Sequence, residues 1–183
     1  MLCATVIVTW TVLGLTLGST FGLPAENRVV SEPDSQAVLA AAREIVQKVR
    51  FCGLVTVDGV GQPQVRAMDP FPPDKDWNVV LATHRTTRKV EQIRNHPQVT
   101  LYYFDPDSPG YVTLVGRARL VDDQQMRESH WKDEWKDFYE SENRGNDYLL
   151  IEVTPLRLEV VSMAHGIAAD PKSWKPAIVE FGN

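Results

Sequence analysis

Between Thr83 and Lys89 the sequence Thr-His-Arg-Thr-Thr-Arg-Lys sets three hydroxyl groups and three cations side by side. Hydroxyls and cations in such density can grip an anion. A short helix pattern follows, roughly Thr87 to Arg94, with Val90 and Ile93 on one side and Asn95-His96-Pro97 as a stop. Thr86 or Thr87 stands at the N-cap position, so open N–H groups and partial positive charge adjoin Arg88 and Lys89. Cations in a first helical turn oppose the macrodipole and cost about 0.3 kcal/mol or more each unless an anion is bound. A solvated basic turn is the competing reading of this stretch. Arg66 adds weight to the anion. It lies on a predicted strand with Met68 on the same face, and an arginine inside a barrel strand needs a partner.

Other residue types offer less. His84, His96, His130 and His165 have no metal-ligand spacing, so no metal site is expected. Asp105-Pro106-Asp107-Ser108-Pro109-Gly110 carries turn chemistry rather than a calcium loop. No Ser-His-Asp or Cys-His nucleophile arrangement is readable, and no catalytic residue is assigned. The chain of 183 residues has a net charge of −5, which gives no general basic field for nucleic acid. The cation cluster is therefore local, and a small anionic ligand suits it.

The elements that must position these residues follow in order. Asp34 or Ser35 can cap a helix whose Val38, Ala42, Ile45 and Val49 recur at helical spacing. Phe51 to Val57 and Gln64 to Met68 form a hairpin around Asp58-Gly59-Val60-Gly61. Cys52 falls in its first strand and reads as a small core residue. Trp77 to Thr83 and Val99 to Phe104 are further strands. Tyr111 to Val121 alternates, with Val112, Leu114, Gly116, Ala118 and Leu120 on one face and Thr113, Arg117 and Arg119 on the other. A helix carrying Trp131, Trp135, Phe138 and Tyr139 on one face is expected next. The segments either side of Thr154-Pro155 read as a last antiparallel pair, and the Pro-rich tail as irregular. Its Trp174 is too large to leave exposed without reason.

Six or seven short strands linked mostly by turns predict a mainly β fold, a closed antiparallel barrel with helices outside. One such domain spans 34–183. Residues 1–25 read differently: from Leu2 to Leu23 no side chain is charged. This predicts an export signal ending near Ala25, with a periplasmic or secreted product, or else a membrane anchor that tethers the barrel. Loss of that segment would remove Cys3 and leave Cys52 alone.

Three stretches carry a family resemblance: Gln64-Val65-Arg66-Ala67-Met68, the run from Leu81 to Phe104, and Tyr111 to Val121. Together they resemble the pyridoxamine-5′-phosphate-oxidase-like FMN-binding split barrels, of the sub-type called general stress proteins. The resemblance implies FMN as cofactor, with Arg66, Thr87, Arg88 and Lys89 at its phosphate. It places backbone near Ala67, Met68, Ala82 and Thr83 against the isoalloxazine ring. It implies a homodimer with FMN at the interface and an oxidoreductase acting on an unidentified small molecule. A flavin carrier, a redox sensor or a deazaflavin-binding protein are the alternatives within the same resemblance. Two departures argue against vitamin B6 oxidation: Phe71 stands where the oxidase has a substrate-phosphate lysine, and the chain ends Val-Glu-Phe-Gly-Asn rather than with Arg-x-His.

Overall fold

The computed structural model describes residues 34–139 and 147–182. The expected signal or anchor over residues 1–25 lies outside the described residues. Helix α1 (Ser35–Lys48) is capped by Asp34, whose carboxylate accepts from the Gln36 amide. It buries Val38, Ala41, Ala42, Ile45 and Val46, the stripe that helical spacing required.

Seven strands form one antiparallel sheet: β1 (Cys52–Val57), β2 (Pro63–Met68), β3 (Val79–His84), β4 (Gln98–Asp105), β5 (Gly110–Val121), β6 (Tyr148–Ser162) and β7 (Ala177–Glu180). Their order is β2-β1-β4-β5-β6-β3, with β7 also on β6. A bridge between Pro70 and Leu81, with the Phe71 amide donating to the Val80 carbonyl, joins the end of β2 to β3. The sheet thus curls back on itself, but β2 and β3 share no ladder, and the barrel stays split there. Helices α2 (Arg88–Asn95) and α3 (Gln124–Ser129) lie with α1 at the periphery.

Side-chain alternation sorts the sheet into two faces. Leu54, Leu101, Leu114, Leu158 and Val179 occupy one cross-strand row and are all buried. Arg66, opposite Leu54, ends that row. Cys52 is buried in the same core, and burial pushes its thiol up to about 12, so it is inert packing as expected.

Four readings need correction. The expected aromatic helix is broken: α3 stops at Ser129, and Asp133–Asp137 is a separate 3₁₀ turn. Trp131, Trp135 and Tyr139 still meet around Tyr148, but Phe138 is exposed. The last pair is a single strand, β6. Pro155 survives inside it at an irregular point: one edge of β6 passes there from β3 (Tyr148–Val153) to β7 (Arg157–Val160), and on the other edge Pro155 faces Gly116 at a register shift in the β5 ladder. The tail holds β7. Trp174 is 78% exposed, with φ 56°, on a turn pinned by Asp170, which accepts from the Lys172 and Ser173 amides.

Candidate phosphate site at the barrel split

The site is built on one turn of α2. Thr87 is the N-cap residue, yet its hydroxyl makes no cap bond. It donates instead to the His84 carbonyl (2.9 Å) and meets the Thr83 hydroxyl at 3.0 Å. The Val90 amide donates to the Thr87 carbonyl (3.0 Å), while those of Arg88 and Lys89 meet no acceptor among the described residues. Lys89 Nζ donates to Thr83 Oγ1 (3.1 Å) at the end of β3.

Three residues along the same helix, Gln92 reaches the other side of the split. Its Oε1 accepts from Thr56 Oγ1 (2.5 Å) on β1 and from Arg66 Nη2 (3.1 Å) on β2. Arg66 Nη1 donates to Thr56 Oγ1 (2.6 Å) and to the carbonyls of Gln64 (3.1 Å) and Leu54 (3.2 Å). The i, i+3 spacing of Lys89 and Gln92 therefore ties both margins of the split to one rigid helix.

Among the described residues, no carboxylate lies within ion-pair distance of Arg66, Arg88 or Lys89. Arg66 and Lys89 feel the neighbouring cations instead, while Arg88 also acts at longer range on Asp58, whose carboxyl it helps to lower after the Gln62, Val60 and Gln64 hydrogen bonds. Burial, then the charge of Arg88, holds the Arg66 guanidinium below its usual range. Burial, then the charge of Arg66, does the same to the Lys89 ammonium. Cations without a contact ion pair, helix amides and two hydroxyls make a donor set with no carboxylate bound directly to it among the described residues. A phosphate fits that deficit.

Of the sequence-derived site residues, Arg66, Thr83, Thr87 and Lys89 lie on this network, and Arg88 joins it through its field. Ala67, Met68 and Ala82 do not enter it with their side chains. Ala67 is exposed on the outer face, Met68 packs on the main core, and Ala82 packs on the Trp135–Tyr148 cluster. Their backbones border the split on either side. Arg85 is drawn away: both its terminal nitrogens donate to Asp122, each at 2.8 Å. Thr56 and Gln92 were not anticipated. The available signals were a threonine on the inward face of β1 and a glutamine beside the buried Ile93.

The sequence profile described as pyridoxamine 5′-phosphate oxidase matches residues 38–162. The chain belongs to the pyridoxamine 5′-phosphate oxidase family. General stress protein 26 of Bacillus anthracis str. Sterne is similar at 20% identity and a TM-score of 0.62, over 78% of this chain and 97% of that one. A Clostridium acetobutylicum protein related to general stress protein 26, of the pyridoxinephosphate oxidase family, gives 20% and 0.67 over 81% and 97%. A heme binding protein from Mycobacterium smegmatis gives 18% and 0.56, over 70% of this chain and 55% of that one. At these identities the likeness concerns the fold, the split barrel with peripheral helices. No protein of curated function matches the chain.

In this member of the pyridoxamine 5′-phosphate oxidase family, Phe71 is part of an aromatic group rather than a cationic one. Its ring lies edge-on to His130 (5.0 Å) and Trp135 (5.5 Å), with Lys132 Nζ over it at 5.0 Å. A cleft of about 290 Å³ opens beside it, lined also by Val46, Val49, Arg50 and Asp69. Its cations are already engaged: Lys132 and Arg50 both donate to Asp69. Burial alone would raise the Asp69 carboxyl, but these two partners outweigh it and hold it below its ordinary range.

Proposed function

We propose that the protein is an FMN-dependent oxidoreductase acting on a small molecule. The single observation that carries this reading is the cation group at the split: Arg66, Arg88 and Lys89, none of them in an ion pair among the described residues. Arg66, Thr83, Thr87, Arg88 and Lys89 would hold the phosphate, Arg88 and Lys89 also through the α2 amides. Backbone of Ala67, Met68, Ala82 and Thr83 along the split would border the ring. FMN supplies the electron-transfer chemistry when bound; the protein supplies position and electrostatics. No side chain here is assigned a proton-transfer role.

The test is an absorption spectrum of the purified protein, followed by anaerobic reduction with NADH or NADPH. Flavin bands that bleach on reduction are expected. A Soret band with no flavin overturns the cofactor assignment. Flavin bands that no nicotinamide donor bleaches favour a carrier or sensor over an enzyme.

The same reading includes a homodimer. The outward face carries an apolar patch across β2, β1, β4 and β5, bounded on β6 by the Arg157–Glu159 ion pair. Val65, Val55, Thr100 and Val115 form one cross-strand row, and Ala67, Gly53, Tyr102 and Thr113 the next. Val65 is 70% exposed and Phe104 53%, and the rings of Tyr102 and Tyr111 pair at 5.7 Å. An exposed patch of this kind suits an association surface, and a second copy would cover it by symmetry. Light scattering should give a dimer mass, with Val65→Lys shifting it toward the monomer. A monomeric wild type at full FMN occupancy would contradict the interface.

A further inference from the structure

Gln92 and Thr56 are polar side chains buried in the barrel, 7% and 0% exposed. Their bonds close a triangle on one guanidinium: Thr56 Oγ1 to Gln92 Oε1, and Arg66 to each of them. All four acceptors around Arg66 are uncharged: two backbone carbonyls, one hydroxyl and one amide oxygen. The guanidinium is thus fixed without being neutralised. Those bonds use Nη1 and one Nη2 hydrogen. They leave the Nε–H and the second Nη2 hydrogen without an acceptor among the described residues. These two donors share an edge of the guanidinium plane, the geometry that accepts two oxygens of a phosphate.

We propose that Gln92 and Thr56 are positioning residues that clamp Arg66 with neutral acceptors, keeping its charge and its Nε/Nη2 edge for the phosphate of the ligand. The inference rests on the phosphate reading of the split. Gln92 is suited to the task because it belongs to α2, the helix that also carries Arg88 and Lys89. The clamp therefore holds the strand arginine in register with the helix cations. A glutamate at this position would satisfy the same hydrogen bonds and cancel the charge.

Binding of FMN and of riboflavin, read by flavin fluorescence, separates this from a packing role, with thermal melting of the ligand-free protein alongside. Thr56→Val should weaken FMN roughly 3- to 10-fold and leave riboflavin nearly unchanged, the size of one lost hydrogen bond. Thr56→Ser, which keeps the hydroxyl, should restore FMN binding. Gln92→Glu should weaken FMN the most and spare riboflavin, while the ligand-free melting temperature holds or rises as the new carboxylate pairs with Arg66. Parallel losses of both ligands together with lower melting temperatures would mean packing only and overturn the clamp. An FMN preference abolished by Lys89→Ala but intact in Thr56→Val and Gln92→Glu would overturn the clamp alone. A wild type that binds riboflavin as tightly as FMN would overturn the phosphate reading beneath it.

Discussion

Lys89→Ala lowers FMN affinity by roughly 10- to 100-fold and leaves riboflavin almost unaffected, as expected for loss of one charge-assisted bond to a phosphate. FMN and riboflavin differ only by that phosphate, so their ratio isolates it. Lys89 is the informative position because its ammonium is half-buried, donates among the described residues only to Thr83 Oγ1, and stands in the field of Arg66. Removing it leaves no acid unpaired, and the ligand-free fold should not suffer. Equal losses for the two flavins would remove Lys89 from the phosphate site. Lys89→Arg is a poor control, since a planar fork replaces a compact point charge.

A pH dependence follows from the same group. The native Lys89 pKa lies below its ordinary value of 10.5, through burial first and Arg66 second. Between the lowered value and 10.5 the folded chain binds fewer protons than the unfolded one, so ligand-free stability from this lysine rises with pH. A bound phosphate favours the ammonium and reverses the preference. FMN affinity should accordingly fall as pH climbs through the lowered pKa, while riboflavin affinity stays flat there. In Lys89→Ala this difference between the two ligands disappears.

Much of this was legible in sequence, for physical reasons that also explain the failures. Alternation in β5 fixed its faces because one face is buried along nearly the whole strand. The Thr83–Lys89 cluster was legible because cations at a helix start violate a local rule. Arg85 misled: its type fits an anion site, but only the fold brings Asp122 to it. Gln92 and Thr56 were missed because their polarity is explained by a partner far along the chain, Arg66, and no periodicity encodes that pairing. Thr154-Pro155 read as the break between two strands. Proline forbids only one hydrogen bond, and β6 places it where the strand passes from β3 to β7. The aromatic helix failed for the opposite reason. Spacing put Trp131 and Trp135 on one face, but their packing on Tyr148 is satisfied by a turn and a 3₁₀ segment as well as by a helix.

Among the described glycines, the most crowded lies beside that same proline. Gly116 sits at the register shift in the β5–β6 ladder, where its partner is Pro155. A Cβ there would stand 2.6 Å from the Thr154 carbonyl oxygen, 2.7 Å from Val153 Cγ1 and 3.2 Å from Leu114 Cδ2. The first contact is with backbone, which cannot turn aside as a side-chain tip can. Relief would require β5 and β6 to separate at the bulge. That motion would disturb Leu114 and Val153, both buried, and the strand whose other edge anchors β3 at one end and β7 at the other. Gly116→Ala should therefore cost about 3 kcal/mol, at the upper end for overpacking. For a domain of this size that corresponds to a fall of roughly 6–12 °C in melting temperature. Gly59→Ala is the matched control, since a Cβ at that position in the β1–β2 turn would meet nothing within 4 Å. It should change stability by less than about 0.5 kcal/mol. Both substitutions add one methyl to one glycine, so a difference between them reports the crowding at the bulge. Similar melting temperatures for the two variants would mean that β5 and β6 part there at little cost, and that the β6 junction is not a rigid anchor for the split.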